Sequence, residues 1–128
     1  MRTIYLAGPI NGCTDEEANG WRQGFMDSLP GYKFLDPMVR DYRGREDECV
    51  PEIVEGDKAD IEACDTFLAY CWQVSWGTAM EIFYAHQLGK RVVLVIPEGS
   101  RISPWLRYHS HDIYPTLADA RKGEVEPF

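Results

Sequence analysis

The sequence predicts an α/β fold, a single domain built as a three-layer sandwich around a mainly parallel central sheet. Three observations carry this. Short apolar β-type runs alternate with helix-like segments along the chain. Two of those runs, TFLAYC and RVVLVI, are apolar without a break, as strands covered on both faces must be. Turns marked by glycine or proline close most segments, with no linker-like stretch and no internal repeat, so residues 1–128 read as one domain.

The elements follow in order. Residues 3–7 (TIYLA) are the first strand, stopped by Gly8-Pro9. Thr14 followed by Glu17 has capping-box spacing and opens a helix over residues 14–29, with Trp21, Phe25 and Leu29 on one face. Pro30-Gly31 ends it. Residues 32–35 are the second strand, closed by Asp36-Pro37. The segment RDYRGREDECV, residues 40–50, is charged and turn-like, a loop over one face. Pro51 fits the first position of a helix running to residue 63, with Ile53, Val54 and Ile61 inward. Residues 66–71 are a buried third strand, 77–88 a helix closed by Gly89, and 91–96 the fourth strand. A short helix starts at Ser103-Pro104, and a last one runs from Pro115 or Thr116 to Arg121; the tail GEVEPF is expected to be loosely held. Right-handed crossovers then give a Rossmann- or flavodoxin-like arrangement.

Composition narrows the function. Of the 128 residues 45% are apolar, enough for a real core. A net charge of −8 argues against non-specific binding to a nucleic-acid polymer or an anionic membrane, but not against a nucleotide. Cys13, Cys49, Cys64 and Cys71 form no CxxC pair or zinc-like group, nothing resembles a signal peptide, and the apolar runs are too short to span a bilayer. A reduced cytoplasmic protein is expected. The glycines spell neither GxGxxG nor GxxxxGK[ST], which removes the usual support for dinucleotide redox chemistry and P-loop phosphotransfer.

Four pieces converge at the carboxyl edge of such a sheet, where ligands bind in open α/β folds. Tyr5 lies on the first strand, followed by the turn Gly8-Pro9-Ile10-Asn11-Gly12, whose backbone can approach an anion or sugar hydroxyl or be a plain turn. Asp57, Asp60 and Asp65 lead into the third strand, and one of them can equally cap or pair with Lys58. SWGTAME sets Ser75 at a helix start, as anion contact or ordinary N-cap. It also delivers Glu81, either a solvated helix glutamate or a nucleophile or acid/base. Arg101-Ile102-Ser103 is a second helix start able to bind an anion, including in a neighbouring subunit.

Together and in this order these segments resemble the nucleoside 2-deoxyribosyltransferase family, including its relatives that hydrolyse nucleoside 5′-monophosphates. The residues carrying the resemblance are IYLAGPI, DYRG, D-x-x-x-I-x-x-x-D before the third strand, S-x-GTAxE and A-x-x-x-GKRVVLV. The resemblance implies cleavage of the N-glycosidic bond of 2′-deoxynucleosides with transfer of the sugar to another base. Glu81 then matches the nucleophile that holds the sugar as an ester, Tyr5 the tyrosine that orients it, and Asp57 the acid that protonates the leaving base. Substrate contacts fall to Gly8, Pro9, Ile10, Asn11, Asp41, Ser75, Gly77 and Ser103. Asp41 stands where relatives carry a base-contacting glutamine, and Asn11 where an arginine would grip a 5′-phosphate. Ser75 and Ser103 match serines that bind that phosphate in the hydrolases, Ser103 across a subunit interface, while some transferases also carry a serine, and others a sugar-gripping aspartate, at the Ser75 position. The same resemblance implies no metal or organic cofactor, a small nucleoside or nucleotide substrate, and a homo-oligomer with shared active sites. Two alternatives stay open: a monophosphate N-glycosidase, and a non-catalytic nucleotide-binding module. His109 and His111 read as surface residues rather than metal ligands, and Trp72, Trp76 and Trp105 as packing or base-stacking groups, Trp76 foremost. The 40–48 loop, with Gly44, reads as solvated or as a lid.

Overall fold

The computed structural model describes residues 2–125. Five strands, β1 (Thr3–Ala7), β2 (Lys33–Leu35), β3 (Thr66–Tyr70), β4 (Arg91–Val95) and β5 (Asp112–Tyr114), form one sheet in the order β2-β1-β3-β4-β5. Every pairing among them is parallel. This is the flavodoxin-like strand order. The helices are α1 (Trp21–Ser28), α2 (Val50–Ala63), α3 (Trp76–Gln87), α4 (Pro104–Tyr108) and α5 (Leu117–Val125).

Strand alternation sorts the core into two layers. Ile4 and Leu6 point with Leu68, Val93 and Val95 toward Phe25 and Leu29 of the α1 segment and Ala120 of α5. Tyr5 and Ala7 point the other way, with Phe67, Ala69, Val92 and Leu94, toward Ile61 of α2 and Ile82 and Ala85 of α3. Both faces of the central strands are therefore covered, which explains why their sequences are apolar throughout.

Four expectations change. The helix at 14–29 opens with the capping box, in which Thr14 N–H donates to Glu17 and Glu17 N–H to Thr14 Oγ1, but its first stretch, Glu16–Gly20, is a π-turn. Val54 does not face the core; it is 43% exposed. β5 is an additional strand, built on the edge of β4. His111 N–H donates to the Val92 carbonyl, Val92 N–H donates to His111 Nδ1, and Arg91 pairs with Asp112 at 2.8 Å. The last helix continues to Val125, so much of GEVEPF is helical, while residues 126–128 lie outside the described residues. Among the described residues no helix is long and apolar enough to cross a membrane.

Candidate active site

The sheet reverses its winding between β1 and β3, since β2 lies beyond one and β4 beyond the other. Connections from these two strands diverge and leave a crevice at their carboxyl ends. A cavity of about 790 Å³ occupies it, within the range of small-molecule sites. It is lined by the loop after β1, the 40–47 loop, one face of α2, and the start of α3.

The first wall is Gly8-Pro9-Ile10-Asn11. Position 8 has to be glycine, because a Cβ there would stand 2.8 Å from the Trp21 ring and 3.2 Å from the Tyr70 carbonyl. The turn is held from below by Arg22, a fully buried cation that sequence reading passed over. Its Nε donates to the Leu6 carbonyl at 3.2 Å and a terminal nitrogen donates to the Gly8 carbonyl at 3.1 Å, with Asp36 at 3.8 Å balancing the charge. A buried charge needs such partners to be tolerated at all.

At the foot of the cavity three polar groups meet. Tyr5 is fully buried, stacked on Phe67, and its hydroxyl donates to Glu81 Oε2 at 2.8 Å. Glu81 and Asp57 both line the cavity, and their carboxyls interact electrostatically. Burial, then the neighbouring Asp57 charge, pushes the Glu81 carboxyl up to about 8, against the bond from Tyr5 and the Arg22 charge. Burial also raises Asp57, while the bond with Glu81 and the Arg40 guanidinium pull it down. Burial and the two acids push the Tyr5 hydroxyl far up, so it stays a donor. The site therefore holds two interacting carboxyls, both raised by burial, which suits it to combine a carboxylate nucleophile with a carboxylic acid.

This arrangement has a cost in stability that depends on pH. Glu81 has its folded value raised from 4.5 to about 8. Between those values the folded chain binds a proton the unfolded chain has released, so stability falls as pH rises through this window and levels off above it. Glu81→Gln, which keeps an acceptor for Tyr5, is expected to raise Tm over wild type by a few degrees at about pH 9, and by much less at about pH 5. Scanning calorimetry at both pH values checks this; an equal change at both would contradict it.

Ser75 and Gly77 also line the cavity. Ser75 is the N-cap of α3, its Oγ accepting from Thr78 N–H at 3.3 Å, which leaves its own proton free to donate. Of the three tryptophans weighed from sequence, Trp76 alone lines the cavity, 86% exposed; Trp105 instead stacks on His109 at 5.7 Å. Asp41 and Ser103 do not line this chain's own cavity. Asp41 is not in the lining: its carboxylate is taken up by Arg43, at 2.8 Å, which holds it down to about 2. Ser103 caps α4, accepting from Trp105 N–H at 3.1 Å, and its expected contact is with a neighbouring subunit's site rather than with this one. Asp65 ties the strand starts together, accepting from Thr3 N–H at 2.9 Å. Asp57 and Asp60 pair with Arg40 rather than Lys58, which leans over the Tyr84 ring at 5.5 Å. His109 is buried rather than at the surface, its ring bonded to the Trp105 carbonyl, and His111 serves the β4–β5 edge. Tyr42, Arg43, Glu46 and Asp47 make the 40–48 loop one wall of the cavity, anchored where Arg43 reaches Asp15 at 2.6 Å and the Cys13 carbonyl at 3.1 Å.

Comparisons with known proteins bear on the family and the fold. Residues 2–94 match the family described as Domain of unknown function (DUF4406). No curated protein matches the sequence. Among solved structures, the chain is similar to a 2-deoxyribosyltransferase from Bacillus psychrosaccharolyticus, at 21% identity and TM-score 0.76, over 93% of this chain and 90% of that one. A 2-desoxiribosyltransferase from Leishmania mexicana aligns at 22% identity and TM-score 0.74, over 98% of both chains. The Clostridium botulinum CMP N-glycosidase aligns at 21% identity and TM-score 0.62, over 96% of this chain and 98% of that one. At these identities the likeness establishes a shared fold.

Proposed function

The chain belongs to the DUF4406 family, and we propose that it is an enzyme that cleaves the N-glycosidic bond of 2′-deoxynucleosides and transfers the sugar to another base. The observation that carries this reading is the line Tyr5–Glu81–Asp57 at the foot of the cavity. The resemblance of the S-x-GTAxE segment and the fold shared with proteins acting on such bonds support it.

In the first half-reaction a Glu81 oxygen bonds to C1′ as the bond from C1′ to the base nitrogen breaks. The electron pair of that bond goes to the base, which takes the proton from Asp57. The product is a glycosyl ester on Glu81 and an ionised Asp57. In the second half-reaction an incoming base attacks C1′, its proton passes to Asp57, and Glu81 leaves as carboxylate. Tyr5, donating to Glu81, steadies the charged form at both ends of the cycle. Tyr5→Phe removes a hydrogen bond to a charged group and is expected to lower kcat by roughly 10–100-fold with the fold unchanged. Kinetics beside a circular-dichroism melt check this; unchanged kcat would remove Tyr5 from its role.

Arg40 and Arg43, the arginines lining the cavity, are both occupied by carboxylates, which favours an uncharged nucleoside over a 5′-monophosphate. Ser75 at the start of α3 favours the second reading, hydrolysis of a monophosphate with water in place of the acceptor base. Exposed Val74, Trp76, Met80 and Phe83 beside the cavity suit coverage by a second copy, in keeping with a homo-oligomer. Incubation with deoxynucleosides and their monophosphates, with and without acceptor base, read by chromatography for free base, tests both readings. Base exchange on nucleosides supports transfer; release from monophosphates alone supports hydrolysis; ligand binding without release from either overturns both.

A further inference from the structure

Arg40 was not among the candidate residues, yet it lies against the proposed acid. Its guanidinium donates to Asp60 Oδ2 at 2.8 Å and to Asp57 Oδ1 at 3.3 Å, and it lines the cavity. The path that brings it there is built into α2. Gly56 sits in the interior of this helix, where glycine costs stability relative to alanine. A Cβ on Gly56 would stand 2.9 Å from Arg40 Nε and 3.4 Å from its Cζ, so the guanidinium lies in the space that the missing methyl leaves. A glycine tolerated inside a helix and a cation seated upon it amount to a prepared position.

Taking Glu81 and Asp57 in the roles just assigned, we propose that Arg40, seated on Gly56 and shared between Asp57 and Asp60, is a positioning residue that sets how readily Asp57 gives up its proton to the leaving base. Burial alone would make Asp57 a poor acid by disfavouring its charged form. A cation beside the carboxyl stabilises the carboxylate that remains after the proton has gone. Asp60 limits that effect, since it takes up part of the Arg40 charge and adds a negative charge of its own beside Asp57. The acid is thereby held between two extremes, which is what proton transfer in both directions of a transfer cycle requires.

The charged groups around Asp57 come from each packed element. They are Asp60 on α2, Arg40 on the connection after β2, Glu81 on α3 and, through Glu81, Tyr5 on β1 and Arg22 on α1. Their arrangement gives shifts of opposite sign for the two halves of the clamp. Arg40→Gln removes the cation, so the Asp57 midpoint and the alkaline limb of kcat/KM move to higher pH, by roughly half to one unit. Gly56→Ala puts a methyl where the guanidinium lies and moves both in the same direction. Asp60→Asn leaves Arg40 to Asp57 alone and moves both to lower pH. Arg40→Lys restores part of the wild-type position.

The test is a titration of the Asp57 carboxyl carbon by NMR in protein labelled at aspartate, for wild type and these variants, beside pH profiles of base release. Opposite shifts for Arg40→Gln and Asp60→Asn support the proposal. Midpoints that coincide with wild type, or move the same way in both, overturn it even in a fully active enzyme. Opposite NMR shifts in a chain that releases base from no nucleoside or monophosphate would instead overturn the assigned chemistry, with the clamp itself upheld.

Discussion

Replacing Glu81 by alanine is expected to remove base release almost entirely, lowering kcat/KM by on the order of 10⁴-fold. The size follows from what the side chain is proposed to do. Loss of the base leaves positive charge at C1′ and the ring oxygen, and a carboxylate beneath that carbon both offsets the charge and captures it. An alanine does neither. Glu81→Gln separates chemistry from packing, because its amide oxygen can still accept from Tyr5 while its nucleophilicity is gone. Both variants should therefore lose activity alike, and both should retain a cooperative melt. Chromatographic assay of free base, normalised to folded protein, measures the effect. Activity within tenfold of wild type in either variant would take Glu81 out of the reaction.

Asp57→Asn is expected to have the second largest effect, a loss of roughly 10²–10⁴-fold, and its size should depend on the substrate. A base that departs poorly as an anion needs a proton in the transition state, so its release should suffer most. A deoxynucleoside with a strongly electron-poor base needs less help, and its release should be reduced far less. Kinetics on such a pair give the answer. Equal losses on both substrates would mean that Asp57 orients the sugar or the base and donates no proton.

The central sheet was legible because its physics is local. Strands buried on both faces need uninterrupted apolar sequence, and β1, β3 and β4 have it. β5 was not legible, since Asp112-Ile113-Tyr114 is only three residues long and exists through edge pairing to β4 and the Arg91–Asp112 pair. Asp57 on α2 and Ser75 and Glu81 at the start of α3 face one crevice, and Tyr5 on β1 joins them through its bond to Glu81; their segments stand out in the sequence by the order of their motifs. Asp41 could not be placed that way. It sits in a charged loop where several arginines compete for each carboxylate, and Arg43 two residues on captures it. Arg22 and Arg40 were missed for the same reason in reverse, as single cations whose partners come from distant segments. One trace of Arg40 was present in the sequence. Gly56 interrupts an otherwise helix-favouring run, and an interior helix glycine points to a close neighbour.

The most direct measurement is to mix the protein with a 2′-deoxynucleoside without acceptor base, quench in acid, digest, and weigh the peptides by mass spectrometry. The peptide spanning α3 should carry one deoxyribosyl unit as an ester on Glu81, absent from Glu81→Gln and discharged on adding a second base before the quench. Free base accumulating while that peptide stays unmodified, or a sugar bound to a different residue, would contradict covalent catalysis by Glu81.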